Sequence, residues 1–350
     1  MNPFQNDSTV SLTATGDILL HGRVYGGTNK KSNYELKEQL QNVSDIIGKT
    51  DITIANLESI IAGNDIGLSS FPKFNAPVEI GYILKDMGVN IVTIANNHVL
   101  DRGTEGLLQS IKNLEEIGLE YDGAYKSFED RDRLRVIKKN GLKVAFISYT
   151  RGTNGIKMPA DKPYLVNSLP KTKTITICKE LRRIKSKGLA DIIVANMHFG
   201  EEYHMNPSSS QKELAASLAD AGADVILGHH SHVLQPPEWI ETSRGTKSFV
   251  AYSLGNFFTG QNGLHRQIGT TLTLQMNKQK KYKGIEILNP IYNLTFVEQV
   301  TPKKYVIHLF RDFMKKNEYI ETEDGKFLTE KVYNDVKNRM RTNMPDLEIE

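Results

Sequence analysis

Three closely spaced histidines are the feature of this sequence with the clearest chemical meaning. The apolar run 224–227 ends at Gly228, which is followed at once by His229, His230 and His232. Imidazole is a common ligand of divalent metals, and ligands gather where the strands of an α/β sheet end. We expect Gly228 to make a sharp turn that carries a metal-binding loop. The simpler interpretation is that one histidine packs in the core and the others face solvent.

The same placement, directly after an apolar run, recurs along the chain. The residues that share it are Asp17, His21, Glu58, Asn97, His98, His198, His230 and His232. Carboxylate, amide and imidazole ligands together suit two ions of manganese, iron or zinc. Such a pair generates a nucleophile near neutral pH and holds the oxygens of a phosphoryl group. The sequence therefore predicts a dinuclear metal site that hydrolyses a phosphoester.

Each of these residues also has a structural interpretation when it is taken alone. Asp17 could be a turn residue, and Asn56 and Asn97 could form Asx turns. Asp101 could cap the helix that begins at Thr104. The recurrence of ligand types at successive strand ends favours one shared site over several separate coincidences.

An alternation of strands and helices is predicted to position these residues. Strands are predicted at 10–15, 51–56, 90–95, 119–121, 191–196, 224–227 and 249–254, with antiparallel strands over 267–300. Helices are predicted at 34–47, 77–87, 104–117, 172–187, 207–221 and 328–341. Asn140-Gly141 predicts a hairpin between 133–139 and 142–149, which makes the sheets mixed. Residues 151–170 are expected to form a long loop near the mouth of the site.

Composition narrows the class of protein. The chain has 350 residues, in which 44 Lys and Arg nearly balance 41 Asp and Glu without a long block of one sign. This balance argues against a nucleic-acid partner and a polybasic membrane patch. The single Cys178 excludes an intrachain disulfide. The length predicts a main domain over residues 1–300 and a C-terminal helical extension over 301–350.

The N-terminal residues do not have the pattern of a secretory signal. Residues 1–8 have no basic flank and no apolar core, so they are not expected to be a secretory signal. No later run is long enough to span a bilayer. The chain as written is expected to be soluble, and its compartment stays open.

Several of these motifs together resemble one protein family. The motifs are Gly16-Asp17 with His21, Asn56-Leu57-Glu58, Ala95-Asn96-Asn97-His98 with Asp101 and Gly103, His198-Phe199-Gly200 with Glu202-Tyr203, Gly228-His229-His230-Ser231-His232-Val233, and Tyr252-Ser253-Leu254-Gly255-Asn256-Phe257. In order, from about residue 10 to residue 258, they resemble the bacterial CapA/PgsA-type poly-γ-glutamate capsule biosynthesis proteins of the calcineurin-like metallophosphoesterase superfamily. The resemblance implies an α/β fold, a four-layer α/β/β/α sandwich.

The resemblance also implies roles for individual residues. It places Asp17 and His232 on one metal ion, and Asn97, His198 and His230 on the other. Glu58 would bridge the two ions where the superfamily usually has aspartate. His98 would protonate the leaving group or stabilise charge on the phosphoryl oxygens, with Asp101 as the partner that orients it. Accessory positions are His21, Asn56, Glu202, His229 and Asn256, although His21 lies four residues after Asp17 instead of two.

Two classes of function are compatible with the sequence. The first is a metal-dependent hydrolase that acts on a phosphoester or a cell-envelope intermediate. The second, implied by the resemblance, is a non-catalytic component of a membrane complex that synthesises and exports poly-γ-glutamate, with a membrane-associated or extracytoplasmic location. An acidic polymer needs a basic surface, for which the candidates are Arg131, Arg133, Arg135, Lys138, Lys139, Lys171 and Lys173, unless these side chains are simply solvated.

Overall fold

Strands and helices alternate through the first part of the chain, and strands dominate after residue 222. The computed structural model describes residues 8–26, 36–169, 172–278 and 284–350. In these ranges the strands are β1 (Ser8–Leu19), β2 (Ile52–Leu57), β3 (Ile91–Thr93), β4 (Glu120–Asp122), β5 (Arg135–Lys139), β6 (Leu142–Thr150), β7 (Ile192–His198), β8 (Val225–His229), β9 (Leu234–Gln235), β10 (Glu238–Glu241), β11 (Lys247–Ala251), β12 (Ser253–Leu254), β13 (Asn256–Thr259), β14 (Ile268–Lys278), β15 (Ile285–Thr301), β16 (Lys304–Leu309), β17 (Tyr319–Thr322), β18 (Gly325–Leu328) and β19 (Glu348–Ile349). The helices are α1 (Leu36–Ser44), α2 (Glu79–Asp86), α3 (Gly103–Ile117), α4 (Phe128–Asp132), α5 (Thr174–Ser186), α6 (Ser209–Ala221), α7 (Phe310–Lys316) and α8 (Thr329–Met340).

Most of these strands form two mixed sheets. The larger sheet has the order β16-β15-β14-β1-β2-β3-β4, with β13 paired to β1 and β19 paired to β15. Strands β1 to β4 are parallel, whereas β14, β15 and β16 are antiparallel neighbours. The smaller sheet has the order β10-β11-β8-β7-β6-β5 and is parallel except at its two edges. Parallel strands bring their carboxyl ends to one edge of a sheet, where ligands bind.

The two sheets pack face to face, and helices cover their outer faces. Leu12 and Ile54 of the larger sheet share a buried cluster with Val144, Val194 and Leu227 of the smaller sheet. Each such side chain contributes about 1.5–3 kcal/mol when it leaves water. Helices α1, α2 and α3 pack on the larger sheet, and α5 and α6 pack on the smaller one. The predicted α/β class and the four-layer α/β/β/α sandwich with mixed sheets are confirmed.

The hairpin predicted at Asn140-Gly141 is present. β5 and β6 are antiparallel, and Lys139 faces Leu142 across the turn. Both turn residues have positive φ angles, 48° at Asn140 and 79° at Gly141. This is the backbone geometry of a two-residue hairpin turn, which Asn-Gly adopts at low cost.

The chain around Gly255 differs from the prediction that a strand over 249–254 stops there. β11 and β12 are separate strands, and the chain then enters the larger sheet as β13, parallel to β1. Gly255 has a φ of +64°, which favours glycine. Gly16 packs so closely against Gly255 that a Cβ atom at position 16 would lie 2.1 Å from the carbonyl oxygen. Two glycines in contact therefore let one segment cross between the sheets.

The residues after 301 pack against the sheets. β16 and β19 both pair with β15. Phe310, Phe313, Val336 and Met340 belong to the same buried cluster as the facing sheets. The predicted C-terminal helix is present as α8, whereas α4 and the β17–β18 hairpin were not predicted. The division into residues 1–300 and 301–350 stays a prediction.

Some sequence predictions concern residues outside the described ranges. These are the assessment of residues 1–7 as lacking a secretory signal, the first two residues of the helix predicted at 34–47, Pro170 at the end of the predicted loop, the basic candidate Lys171, and residues 279–283 within the predicted antiparallel strands. In the described ranges, no helix combines the length and the apolar character that crossing a bilayer requires.

Candidate metal centre

The predicted ligands lie between the two sheets, at the carboxyl ends of parallel strands. Asp17 is near the end of β1 and Glu58 follows β2 in the larger sheet, while His198 ends β7 in the smaller sheet. His230 and His232 follow the end of β8. All five side chains are buried. The face-to-face packing of the sheets thus brings together residues that are far apart in the sequence.

These five residues form two groups that share Glu58. One group is Asp17, Glu58 and His232, and the other is Glu58, His198 and His230; within each, the candidate ligand atoms lie within 4.8 Å of one another. Oε1 of Glu58 is 3.7 Å from Nε2 of His232 and 3.5 Å from Nε2 of His198. The geometry gives two adjacent candidate sites that share one carboxylate.

Buried atoms without hydrogen bonds indicate that this donor set fits divalent ions. Among the described residues, neither carboxylate oxygen of Glu58 has a hydrogen-bond partner, and neither does Nδ1 of His198 or Nδ1 of His230. A buried carboxylate without a partner is strongly disfavoured unless a cation compensates for it. Oxygen and imidazole donors together match manganese, iron and zinc. The residues present therefore fit a pair of such ions.

The two carboxylates of the centre differ in their electrostatics. Burial raises the pKa of Glu58 well above its usual value, and the charge of Asp17 adds to the effect. Burial acts in the same direction on Asp17, but hydrogen bonds from His229 and His232 outweigh it and hold the pKa of Asp17 well below its usual value. Burial opposes the charge on His232, yet Glu58 and Asp17 raise its pKa to about 9. With this pKa, His232 carries a proton whose charge balances Glu58 and Asp17. A divalent cation would balance them instead, so metal binding would release the proton.

His198 and His230 are held neutral, as metal ligands must be. Burial lowers the pKa of His198 well below its usual value, and the charge of His230 adds to this effect. Burial, followed by the charge of His232, lowers the pKa of His230 to about 3. Neutral imidazoles have a free nitrogen lone pair to offer to a metal.

Polar neighbours fix the orientation of the ligands. Asn56 donates to Oδ1 of Asp17 at 2.7 Å, and Nδ1 of His229 lies 3.0 Å from the same oxygen. Oδ1 of Asn256 lies 3.0 Å from Nδ1 of His232. Second neighbours of this kind set the tautomer and direction of metal ligands. Oδ1 of Asn97 lies 2.9 Å from Nε2 of His198, close to the second group.

His98 and Asp101 form a buried pair beside the two groups. Nδ1 of His98 lies 2.7 Å from Oδ2 of Asp101, which also accepts a hydrogen bond of 2.7 Å from the backbone N–H of Phe74. The ring of Phe74 meets His98 edge to face at 4.7 Å. With Nδ1 bonded to the carboxylate, Nε2 is the nitrogen available for proton transfer.

His21 and Glu202 lie outside both ligand groups. Nδ1 of His21 is 3.2 Å from the carbonyl oxygen of Leu19, and its ring packs against Phe74 at 5.0 Å. Burial lowers the pKa of His21 to about 4. Glu202 is exposed. Neither residue is a member of the two groups within the described part of the chain.

The turn that carries the histidines is not made by Gly228, and this expectation was wrong. Gly228 lies inside β8, where a Cβ atom would be 2.0 Å from the carbonyl oxygen of Tyr252. The turn is made by His230 and His232, whose φ angles are +95° and +57°. Positive φ is rare for residues with a Cβ atom and is concentrated at functional sites. Gly228 permits close strand packing, and the histidines carry the backbone strain.

Two residues near the site, Asn154 and Arg151, were not singled out from the sequence, and Tyr203 was named only as part of a motif. Asn154, on the loop predicted at 151–170, accepts a hydrogen bond of 3.2 Å from Asn97, and its Nδ2 lies 3.3 Å from Nδ1 of His98. Arg151 donates to the carbonyl of Gly200 and adds positive charge near His230. Tyr203 is 46% exposed, has a φ of +65°, and its ring lies 6.1 Å from that of His232. The Asn154-Gly155 pair, a common turn sequence, was the available signal.

Comparison with known proteins places the chain in a family. The family described as "Bacterial capsule synthesis protein PGA_cap" matches residues 11–261. The chain belongs to this family. The matched region contains both ligand groups of the PGA_cap chain as well as His98, Asp101 and Asn256.

Two curated relatives and one solved structure show how far the similarity extends. Capsule biosynthesis protein CapA of Bacillus anthracis is 30% identical over 73% of this chain, and the match spans 61% of that protein. PGA biosynthesis protein CapA of Bacillus subtilis is 29% identical over 92% of this chain and 82% of that protein. A hypothetical protein from Thermus thermophilus, known from its crystal structure, is 14% identical with a TM-score of 0.46, over 79% of this chain and 98% of that chain. The suspected resemblance to CapA-type capsule synthesis proteins is confirmed.

Proposed function

We propose that this PGA_cap-family protein is a hydrolase that uses two divalent ions, manganese, iron or zinc, to cleave a phosphoester. The environment of Glu58 supports this proposal most directly. Glu58 belongs to both ligand groups, and neither of its buried oxygens has a hydrogen-bond partner among the described residues. A single carboxylate in that position suits a bridge between two ions.

The assignment of ligands follows the geometry. Asp17 and His232 would hold one ion, and His198 and His230 would hold the other, with Asn97 beside His198. When bound, such ions lower the pKa of water and stabilise negative charge on phosphoryl oxygens. Asn56, His229 and Asn256 keep Asp17 and His232 in place through the hydrogen bonds described above.

His98 is the proposed general acid. Oδ2 of Asp101 accepts hydrogen bonds from Nδ1 of His98 and from the amide of Phe74, so the position of the carboxylate is fixed by two donors. In this arrangement Nε2 of His98 would be the atom that delivers a proton to the leaving oxygen. Phe74, which is fully buried, holds the imidazole ring from one side and limits the access of water.

A second candidate function is that of an accessory component in the synthesis of an acidic capsule polymer. The names of the two Bacillus relatives, which refer to capsule biosynthesis and PGA biosynthesis, favour it. In this case the partner would be poly-γ-glutamate or a membrane synthase complex, and the metal centre would serve structure or binding.

Turnover of simple substrates distinguishes the two candidates. Purified protein would be loaded with manganese and assayed with bis(p-nitrophenyl) phosphate and p-nitrophenyl phosphate. We expect His98→Ala and His230→Ala to abolish turnover and His308→Ala to retain it, because His308 pairs with Glu298 outside the centre. Metal analysis should give two ions per chain. If the metal-loaded protein shows no turnover that these substitutions remove, the accessory function is favoured.

A further inference from the structure

A polar cleft lies at the edge of the sandwich, apart from the metal centre. Its volume is about 500 Å³, and it is bounded by β4, by the segment from α4 into β5, by β6 and by α5. None of the metal-centre ligands lines it. A cavity of this size is sufficient for a small organic molecule or one unit of a chain.

Four arginines line the cleft, and two of them form ion pairs with neighbouring acidic side chains. Arg135 is 2% exposed, and its Nη2 donates to Asp130 at 2.6 Å. Nε of Arg135 donates to the carbonyl of Tyr121 at 2.9 Å. Arg133 pairs with Glu120 at 3.3 Å on the surface. The candidate role of Arg135 in an exposed basic surface is therefore wrong, because its charge is buried and neutralised.

The remaining two arginines differ from each other. Arg183 makes two hydrogen bonds to Glu180 on the same helix, at 2.8 and 2.6 Å. Arg131 is partly buried, and its guanidinium has no hydrogen bond or ion pair within the described part of the chain. Its charge acts on Tyr149, whose pKa burial nevertheless raises to about 12. The hydroxyl of Tyr149 is likewise without a partner among the residues described. Among the described residues, the guanidinium of Arg131 and the hydroxyl of Tyr149 therefore both lack partners, and both line the same cleft.

The charged side chains that line the cleft determine which type of anion it can bind. Besides the four arginines, the cleft is lined by the acidic side chains of Asp122, Asp132 and Glu180. Burial raises the pKa of Asp122, which favours its neutral form. Phosphate would bring up to two charges on one group close to the carboxylates of Asp132 and Glu180, whereas a carboxylate group brings a single charge to a guanidinium that has no partner among the described residues. The planar fork of arginine matches a carboxylate in a bidentate geometry.

We propose that this edge cleft is a binding site for a carboxylate group, held by the guanidinium of Arg131 with the hydroxyls of Tyr149 and Thr176 alongside. The carboxylate belongs either to a small dicarboxylic acid or to one unit of an acidic chain. This site is independent of the proposed phosphoesterase activity, because binding at the cleft requires no turnover at the metal centre.

Binding measurements on the full chain test this proposal. Isothermal titration would use three probes: glutarate, a γ-linked glutamate oligomer of about ten units, and inorganic phosphate. We expect both carboxylate probes to bind and phosphate to bind more weakly. Arg131→Gln should weaken the carboxylate probes by about tenfold or more, because it removes a charge-assisted bidentate contact. Tighter binding of the oligomer than of glutarate would identify a chain as the ligand, and equal binding would identify a small acid.

A matched control tests whether the loss of any nearby positive charge weakens binding. Lys138→Gln removes one positive charge from the neighbouring strand β5, where the side chain is exposed and does not line the cleft. It should leave the affinities within about twofold, as expected for a screened surface charge. The proposal is overturned if neither carboxylate probe binds, if phosphate binds as tightly, or if Arg131→Gln binds as the unaltered protein does. Tyr149→Phe, which keeps the ring and its packing, should weaken binding by a smaller factor than Arg131→Gln.

Discussion

Two buried charged clusters in this protein are satisfied in opposite ways. The arginine cluster consists of Arg135 and Asp130 with the rings of Tyr121 and Tyr125, which lie 5.1 and 4.9 Å from the guanidinium. Arg135 donates to the side chain of Asp130 and to three backbone carbonyls. In the candidate metal centre, by contrast, both oxygens of Glu58 lack a hydrogen bond within the described ranges.

The comparison shows that the role of a buried charge can be inferred from its hydrogen bonds. A charge whose hydrogen bonds are all made by the protein belongs to the fold, here by fixing β4 and α4 against β5. A buried charge that the protein leaves without partners is costly unless something else binds it. Both clusters are buried, so burial alone does not distinguish them. The difference lies in their hydrogen bonds. The substitutions below test this distinction.

The largest effect is expected in the arginine cluster. Arg135→Met should lower the free energy of unfolding by about 3–5 kcal/mol, because it removes the close, buried countercharge of Asp130 and leaves only the half-exposed Arg133 at 3.9 Å. Urea denaturation would measure this change, with or without metal. Arg133→Met, a similar substitution at a half-exposed side chain, should cost about 0–1 kcal/mol. Equal losses in the two variants would mean that the buried pairing contributes nothing special.

The metal centre should respond to metal where the arginine cluster does not. Manganese at about a hundredfold excess over its Kd should stabilise the native chain by about 2.7 kcal/mol per site. In Glu58→Gln this increase should disappear, while the metal-free variant should be at least as stable as the metal-free native chain, since a desolvated charge has been removed. Thermal melts with manganese and with chelator measure both quantities. Glu201→Gln, at an exposed position, is the control and should keep the full increase.

The two clusters also differ in how well the sequence predicts them. The candidate ligands follow apolar runs, and neighbouring parallel strands bring such positions to one edge of a sheet, so the proximity of Asp17 and Glu58 could be predicted. His198 lies in the other sheet, and its proximity depends on the packing of the two sheets, which only the family resemblance implied. The roles of all three as ligands stay predictions. The burial of Arg135 could not be predicted, because an arginine in a charged hairpin looks like a surface residue until Asp130 is placed beside it. The entry of β13 into the larger sheet was also missed, since it depends on a contact between two distant glycines.

The pairing of His98 with Asp101 should matter for turnover, and its effect on stability should be smaller than the effect expected at Arg135. Asp101→Asn would keep the shape of the side chain but weaken its bond to Nδ1 of His98. We expect kcat to fall by about ten- to hundredfold, as for other residues that orient a reacting group, with the metal content unchanged. Asp132→Asn, at an exposed position, should leave kcat unaltered. A loss of metal in Asp101→Asn would show instead that Asp101 supports the ligands.

Asn154 should give the smallest effect, because it reaches the centre only through a loop. Its side chain contacts Asn97 and His98, and its φ of +48° is one that asparagine tolerates better than alanine. Two variants separate these features: Asn154→Ala removes the amide and strains the backbone, whereas Asn154→Gly removes the amide alone. If the amide positions Asn97 and His98, both variants should lower kcat by about three- to tenfold, the value of one or two ordinary hydrogen bonds, with little change in KM. If only Asn154→Ala is impaired, the loop conformation determines kcat. The hydrogen bonds of the Asn154 amide then stabilise the fold and do not contribute to the chemistry of the centre.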